Sequence, residues 1–192
     1  MKKAIFAMLA VAGATTAASA DDLILVDLSV TNQITITSTA GLSAATVSGT
    51  DNIGVYFENF FGTNSLGSAG STLVPGGNIR PVGTTTDGSP ALFHFTSDPG
   101  LNLFSWTNDA TSSFTAGSQA FTGAATYNLT AAAYAAYTAN NPVGRTGNLW
   151  FEADNLPDLP TASNIGTYRV VPVPGAMSLF GVGLIAAARR RR

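Results

Sequence analysis

Short segments in which apolar and polar residues alternate, separated by glycine, proline and asparagine, dominate the middle of this 192-residue chain. In QITITS, from Gln33, isoleucines recur at the two-residue period of a strand that buries one face. Segments of this kind begin at Leu23, Gln33, Ala44, Ile53, Ala91, Asn102, Ser112, Ala120, Asn148 and Ile165. Ten short strands in about 150 residues predict an all-β domain with an antiparallel, jelly-roll-like sandwich fold.

Turn chemistry marks the connections between these segments. LVPGGN, TTTDGSP, TSDPG and NLPDLP combine glycine, which tolerates positive φ, with proline, which fixes φ. The stretch from Gly62 to Gly88 is predicted to be a long loop or an edge hairpin. TAAAYAAYTANNP predicts one short helix, with Thr130 as N-cap, Asn140 or Asn141 as C-cap and Pro142 as the stop.

Charge is distributed unevenly along the chain. Six of the nine basic residues lie at the two ends, and all eleven carboxylates lie between them. The segment 21–171 holds three arginines against eleven carboxylates, a formal charge of −8. An acidic surface without lysine repels phosphate backbones, so we expect no nucleic-acid partner.

The first twenty residues have the features of a secretory signal peptide. Lys2 and Lys3 precede an apolar run from Ala4 to Ala14, and small residues at Ala18 and Ala20 fit signal peptidase. The alternative is a membrane-anchoring helix, but the run falls short of the roughly 20 residues needed to span a bilayer. We therefore predict that signal peptidase cleaves after Ala20.

The other end combines an apolar run with a basic terminus. Residues 170–188 carry no charge, and 19 residues are just enough to span a membrane as a helix. Pro172 and Pro174 stand at its entrance, and a stop-transfer cluster ends the chain: Arg189, Arg190, Arg191 and Arg192. This pattern predicts a C-terminal transmembrane helix, in preference to a buried C-terminal helix with a solvated basic end.

A short proline motif, an apolar segment with glycines and a terminal arginine cluster together resemble the PEP-CTERM sorting signal of Gram-negative bacteria. The resemblance covers residues 171–192. Its motif positions are Val171, Pro172, Val173 and Pro174, so valine stands where the usual Val-Pro-Glu-Pro has glutamate. The chain then divides into a signal peptide (1–20), an exported β domain (21–169) and a sorting tail (170–192).

This resemblance implies a route of export and processing. An exosortase-like enzyme is expected to recognise the tail, which holds the precursor transiently in the inner membrane, and to remove it near the proline motif. The protein is then released or attached at the cell surface or in the extracellular matrix. Proteins with such tails often accompany exopolysaccharide and biofilm production.

The residues for catalysis are sparse. The chain has no cysteine, no lysine after Lys3 and no Gly-x-Ser-x-Gly motif, and its one histidine, His94, is predicted to be structural. Glu58 and Glu152, each among aromatic residues, are the candidates for an exported glycoside hydrolase, which needs its two carboxyls roughly 5 to 10 Å apart. We nonetheless predict a non-enzymatic protein with no cofactor.

Two binding activities remain as alternatives. A carbohydrate-binding module could stack sugar rings on aromatic side chains, for which the candidates are Tyr56, Phe57, Phe60, Phe61, Trp106 and Trp150. Asp87, Asp154 and Asp158 carry oxygen ligands suited to calcium, but they lack a recognisable loop spacing, so no metal site is predicted.

Overall fold

The computed structural model describes residues 22–62, 66, 69–106 and 111–172. In this part of the chain 42 % of the residues are in strands, with one α-helix and one short 3-10 turn. The elements are β1 (Asp22–Asp27), β2 (Gln33–Ser38), β3 (Val47–Thr50), β4 (Val55–Phe57), β5 (Ser71–Leu73), β6 (Arg80–Pro81), β7 (Ala91–Phe93), β8 (Leu101–Phe104), β9 (Thr111–Phe114), β10 (Phe121–Thr122), β11 (Ala124–Leu129), α1 (Ala131–Ala139), β12 (Thr146–Phe151), the 3-10 turn (Leu156–Asp158) and β13 (Ser163–Val171). The prediction of a mostly β domain with one short helix is confirmed.

Nine strands form one large sheet, in the order β5, β11, β2, β1, β13, β12, β4, β8, β7. The sheet curls until it is nearly closed, with its two outer strands, β5 and β7, near each other. Two ribbons, β6 with β10 and β3 with β9, complete the fold. The sandwich prediction envisaged two sheets in antiparallel order. The structure differs, because one curled sheet holds most of the strands and it contains a parallel pair, β1 with β13.

Strand β13 joins the two halves of this sheet. It pairs with β1 on one side and with β12 on the other, over nine residues from Ser163 to Val171. Without it, β5, β11, β2 and β1 would separate from β12, β4, β8 and β7. The last strand of the described residues is thus a central one, which local sequence patterns do not reveal.

The alternation of apolar and polar residues along a strand explains how one face of the strand contributes to the core. In β2, Ile34 and Ile36 are fully buried, while Thr35 faces outwards and shares a 2.9 Å hydrogen bond with Thr126 of β11. Aromatic side chains fill the wider space between β4, β13 and the helix. Phe60 packs edge-to-face against Tyr137 of α1 and at a tilt against Tyr168 of β13. The interior is therefore rich in rings that contact one another.

The helix begins and ends as its sequence predicts. The Thr130 hydroxyl accepts a hydrogen bond from the Ala133 amide at 3.2 Å, and Asn140 is the C-cap. Ala133 and Tyr137, one turn apart, are the residues it buries. Its position against the sheet is fixed by Tyr134, whose hydroxyl donates to the Leu28 carbonyl at 2.7 Å.

One predicted strand is divided in two. AFTGAATYNL, predicted as a single strand, forms β10 and β11, because Gly123 between them has φ of +86°. A side chain there would also collide with the backbone of Asn78. The predicted loop 62–88 likewise contains two short strands, β5 and β6.

We predict that trimming the core side of β13 destabilises the whole domain. Val170 is 2 % exposed, and Val170→Ala removes two buried methyl groups, at a cost of roughly 2 kcal/mol including the cavity. Val143→Ala is the matched control, since Val143 is 64 % exposed and its loss should change stability by no more than about 0.5 kcal/mol. Urea unfolding of both variants measures the difference; equal stabilities would contradict the central role of β13.

Candidate functional site

The aromatic residues predicted to form a sugar platform are mostly interior. Five of them are almost completely buried: Tyr56, Phe57, Phe60, Phe61 and Trp106. Trp150 is half-buried, and its indole N–H donates to Glu58 Oε2 at 2.8 Å. These six side chains therefore pack the domain and do not form an exposed platform.

Glu58 and Glu152 lie at opposite ends of one strand pair. In the β4–β12 register Trp150 faces Tyr56, the Glu58 amide donates to the Asn148 carbonyl, and the Glu152 amide donates to the Gly54 carbonyl. The position opposite Glu58 is Asn148, and Glu152 lies four residues further along the chain, just after β12, which is about 13 Å at the rise of a strand. The carboxylates also line different clefts. They are not brought together as a hydrolase pair, which needs roughly 5 to 10 Å.

Glu58 belongs to a polar network that fastens the helix end to the sheet. Its Oε2 accepts hydrogen bonds from Asn148 and Trp150, both at 2.8 Å. Beside it, the Arg145 guanidinium donates to the carbonyls of Asn59 and Asn140. Burial raises the pKa of the neighbouring Tyr168 hydroxyl to about 12, and Arg145 partly offsets this effect. The cleft here holds about 290 Å³.

Exposed phenyl rings lie on the outer face of β7 and the segment after it, near the end of β12 that is distant from Glu58. Phe93 is 38 % exposed and Phe95 39 %, and their rings meet edge-to-face at 4.7 Å between centroids. Phe104 packs against Phe93 at a similar angle, with centroids 6.2 Å apart. We name the space of about 240 Å³ beside them the aromatic cleft; its lining is Asn52, Ile53, Phe93, Phe95, Asn102, Phe104 and Asp154.

Two further clefts adjoin the aromatic cleft around the 3-10 turn. The first, of about 400 Å³, shares Phe95 with it and is here named the acidic cleft; its lining is Phe95, Thr96, Ser97, Asp98, Asn155, Pro157 and Asp158. The second, of about 490 Å³, shares Ile53 with the aromatic cleft and contains Glu152. We refer to the three together as the end groove, because they surround the end of β12 and the start of β13.

Asp98 holds the wall of the end groove in place. Its Oδ1 accepts from the Tyr56 hydroxyl at 2.6 Å and from the Gly100 amide at 2.8 Å, and its Oδ2 accepts from the Leu156 amide at 2.8 Å. Burial, followed by the hydrogen bond to Asp98, raises the pKa of Tyr56. One carboxylate thereby links β4, the loop before β8 and the 3-10 turn.

Asn102 forms the floor of the aromatic cleft. It is 2 % exposed, and its Nδ2 donates to the carbonyls of Ile53 at 2.7 Å and Ala153 at 3.1 Å. Both donor hydrogens are thus engaged. Its Oδ1 has no hydrogen-bond partner among the described residues. A buried amide oxygen left unpaired costs free energy, which a hydroxyl or amide donor would recover.

Two other oxygens of the end groove share this property. Asn155 Oδ1 and Glu152 Oε1 are buried and have no hydrogen-bond partner in the part of the chain that the structure describes. Glu152 has a positive φ of 67°, and its carboxylate lies against Gly49, where a side chain would collide with it. Each of the three adjoining clefts is therefore lined by a residue with an unsatisfied hydrogen-bond acceptor.

Two of the aspartates considered for calcium come together in this groove. Burial and the hydrogen-bonded neighbour Asp158 raise the pKa of Asp154, while Asn155 opposes the shift. Asp87 accepts instead from the Ser89 amide within its own loop. Within the described ranges no group of three histidine, cysteine or carboxylate side chains is placed to hold a metal ion.

His94 is buried on the inner side of the segment that carries the exposed rings. Its Nδ1 lies 2.8 Å from the Gly100 carbonyl and so donates to it, since a carbonyl can only accept. The ring packs on Phe61 with centroids 4.4 Å apart. With Leu92 and His94 turned inwards, the two-residue period turns Phe93 and Phe95 outwards.

The predicted targeting residues lie at the edges of the described chain. Val171 is the last residue of β13, and Pro172 follows it. The other motif positions, Val173 and Pro174, lie outside the described residues, as do Arg189 to Arg192 and the cleavage residues Ala18 and Ala20. In the described part of the chain, no helix has the length and hydropathy to cross a membrane.

Comparison with protein families decides the nature of the C-terminal end. The model of the PEP-CTERM protein-sorting motif matches residues 170–192. The chain carries a PEP-CTERM sorting motif. This motif indicates an exported protein that an exosortase-type enzyme processes, anchored in the membrane before cleavage and placed at the surface or outside afterwards. No curated protein and no solved structure matches the chain significantly.

We predict that Asp98→Asn destabilises the protein by roughly 1 to 3 kcal/mol, because the change weakens hydrogen bonds made to a charged acceptor. Asp87→Asn, in an exposed loop, is the matched control and should stay within about 0.5 kcal/mol of the parent. Urea unfolding followed by tryptophan fluorescence provides the comparison. A parent-like midpoint for Asp98→Asn would show that the groove wall does not depend on this carboxylate.

We predict that Asp154→Asn stabilises the protein at neutral pH and that this gain shrinks as the pH falls. A raised pKa in the folded state means that the folded protein binds the proton more tightly, so the parent loses stability as pH rises from about 4 through that pKa. The asparagine variant has no such proton to lose. Unfolding free energies measured at pH 7 and pH 4.5, with Asp87→Asn as the control for a lost charge, test the sign. A gain that is independent of pH would contradict it.

Proposed function

We propose that this chain is an exported, non-enzymatic surface or extracellular-matrix protein of a Gram-negative cell, delivered by a cleaved signal peptide and a C-terminal sorting tail. The observation that carries the proposal is the match of the sorting motif to residues 170–192. Residues 1–20 supply the entry signal in this scheme, and signal peptidase and an exosortase-like enzyme are its processing partners. An association with exopolysaccharide or biofilm follows from the resemblance to proteins with such tails.

The position of β13 supports a cut outside the folded domain. Val170 pairs with Val26 and Val171 with Asp27, so the first two residues of the matched motif belong to the central strand. Pro172 lacks an amide hydrogen and cannot extend the ladder. From Val171 to Pro174 the chain can span at most about 11 Å. The sorting enzyme must therefore act close to the domain surface, on residues that follow the strand.

The carboxylates of Glu58 and Glu152 lie at opposite ends of β12 and do not converge. Their separation supports a binding role over glycoside hydrolysis. The acidic middle segment, with a formal charge of −8, favours partners without negative charge. A binding role is also consistent with the exposed rings and open clefts of the end groove.

We predict that the protein recovered from the host's envelope and medium begins at Asp21 and ends after Val171, close to Pro174. Intact-mass measurement reads both ends at once. Pro172→Ala combined with Pro174→Ala should keep the tail on the protein and the protein in the membrane fraction, whereas Pro142→Ala, an exposed proline in a loop, should be processed like the parent. A parent protein that stays in the cytoplasm with Met1 in place would overturn the proposal.

A further inference from the structure

We propose that the aromatic cleft binds a neutral, hydroxyl-rich polysaccharide through Phe93, Phe95 and Phe104, with neighbouring units of the chain lying in the rest of the end groove. This inference deepens the proposed function, on which its biological setting rests, by naming the ligand class and the residues that contact it. It replaces the six predicted aromatic residues, which pack the interior or bind Glu58, with Phe93 of β7, Phe104 of β8 and Phe95 in the segment that follows β7.

The exposed rings are held rigidly and in a fixed arrangement. Phe93 stands directly opposite Asn102 in the β7–β8 register, and the pair two residues along, on the same face, places Phe104 opposite Ala91. Phe95 and Phe104 each meet Phe93 nearly at right angles. Such edge-to-face contacts fix the rings in a corner, so little side-chain entropy remains to be lost when a ligand binds. The apolar C–H faces of a sugar ring can pack against phenyl faces of this kind.

The polar groups beside the rings are acceptors without donors. Asn102 lines the aromatic cleft, is 2 % exposed and has its Oδ1 unpartnered among the described residues, while Asn155 and Glu152 contribute similar oxygens to the adjoining clefts. Together with the carboxylates of Asp154, Asp98 and Asp158 in the lining, these oxygens favour a ligand that brings hydrogen-bond donors. Sugar hydroxyls are donors that alternate with apolar C–H faces, which matches acceptors interspersed with phenyl rings.

Charge narrows the class of polysaccharide. Asp154 lies in the aromatic cleft, and Asp98 and Asp158 lie in the acidic cleft. The three arginines of the described chain, Arg80, Arg145 and Arg169, do not line any of the three clefts. Uronic-acid or phosphate-bearing polymers would be repelled by these carboxylates. The size of the aromatic cleft, about 240 Å³, suits one or two sugar rings, and the adjoining clefts extend the contact along a chain.

The test is native gel electrophoresis of the protein as purified from its host, in gels that contain one soluble polysaccharide at a time. Hydroxyethylcellulose, laminarin, dextran and galactomannan are the neutral probes, and alginate is the anionic one. We expect at least one neutral probe to retard the protein and alginate not to. The retardation should persist when EDTA is present, since hydroxyl groups and not a bridging cation make the contact.

Variants locate the binding in the cleft. Phe93→Ala combined with Phe95→Ala should weaken the binding roughly tenfold or more, the equivalent of about 1.4 kcal/mol. Phe93→Tyr combined with Phe95→Tyr keeps both rings and should bind more tightly than the double alanine variant. Val143→Ala removes an exposed apolar side chain at the other end of β12 and should also bind like the parent. Near-ultraviolet circular dichroism of each variant verifies that the fold is unchanged.

Several outcomes overturn the inference. Migration unaffected by all four neutral probes is one, and equal retardation of the parent and the double alanine variant is another. Self-association in sedimentation, abolished by the double alanine change while no neutral probe binds, would show that the rings contact a second copy of the chain. None of these readouts depends on sorting, so failed tail processing, seen by intact mass, is distinguished from failed glycan binding.

Discussion

The pairing of the last strand between β1 and β12 is the constraint on which the rest of the fold depends. Each half of the large sheet itself pairs strands that are distant in sequence, such as β2 with β11 and β4 with β12, and among the described strands the two halves are hydrogen-bonded to each other only through β13. The nearly closed core of aromatic rings between β4, the helix and β13 cannot form until residues 163–171 arrive. Folding is consequently completed only when β13 is in place, and the first two residues of the sorting motif are part of that strand.

The two ends of β12 serve different structural purposes. At its beginning, Glu58, Asn148, Trp150 and Arg145 form a network in which most polar groups have partners, so that the helix end is held firmly on the sheet. At its end, Asp98 uses its oxygens to fix the surrounding loops, but Asn102, Glu152 and Asn155 retain unpaired acceptors beside exposed rings. The unpaired acceptors at this end lower the stability of the folded protein, because each buried oxygen has lost its hydrogen bonds to water. Binding sites commonly combine such polar groups with exposed aromatic rings.

Local sequence signals predicted the elements well and their assembly less well. QITITS forms a strand with the predicted bounds, and Thr130 caps the helix as its side chain and position indicate. The parallel pairing of residues 22–27 with 163–171 has no local signal, because it depends on where distant strands fit in the sheet. The exposed rings of the end groove could have been predicted from the sequence. In ALFHFTS, the two-residue period that places Leu92 and His94 on one face places Phe93 and Phe95 on the other. The predicted sugar platform instead consisted of aromatic residues in segments that are mostly buried in the core.

The direction of β13 also separates the end groove from the residues that carry the sorting motif. The end groove surrounds Ser163, where the strand begins, and the tether leaves from Val171, where it ends. Eight steps along an extended strand place these two points about 27 Å apart. The groove and the start of the sorting motif therefore lie at opposite ends of the central strand, so removal of the tail after Val171 leaves the groove and its surrounding loops untouched.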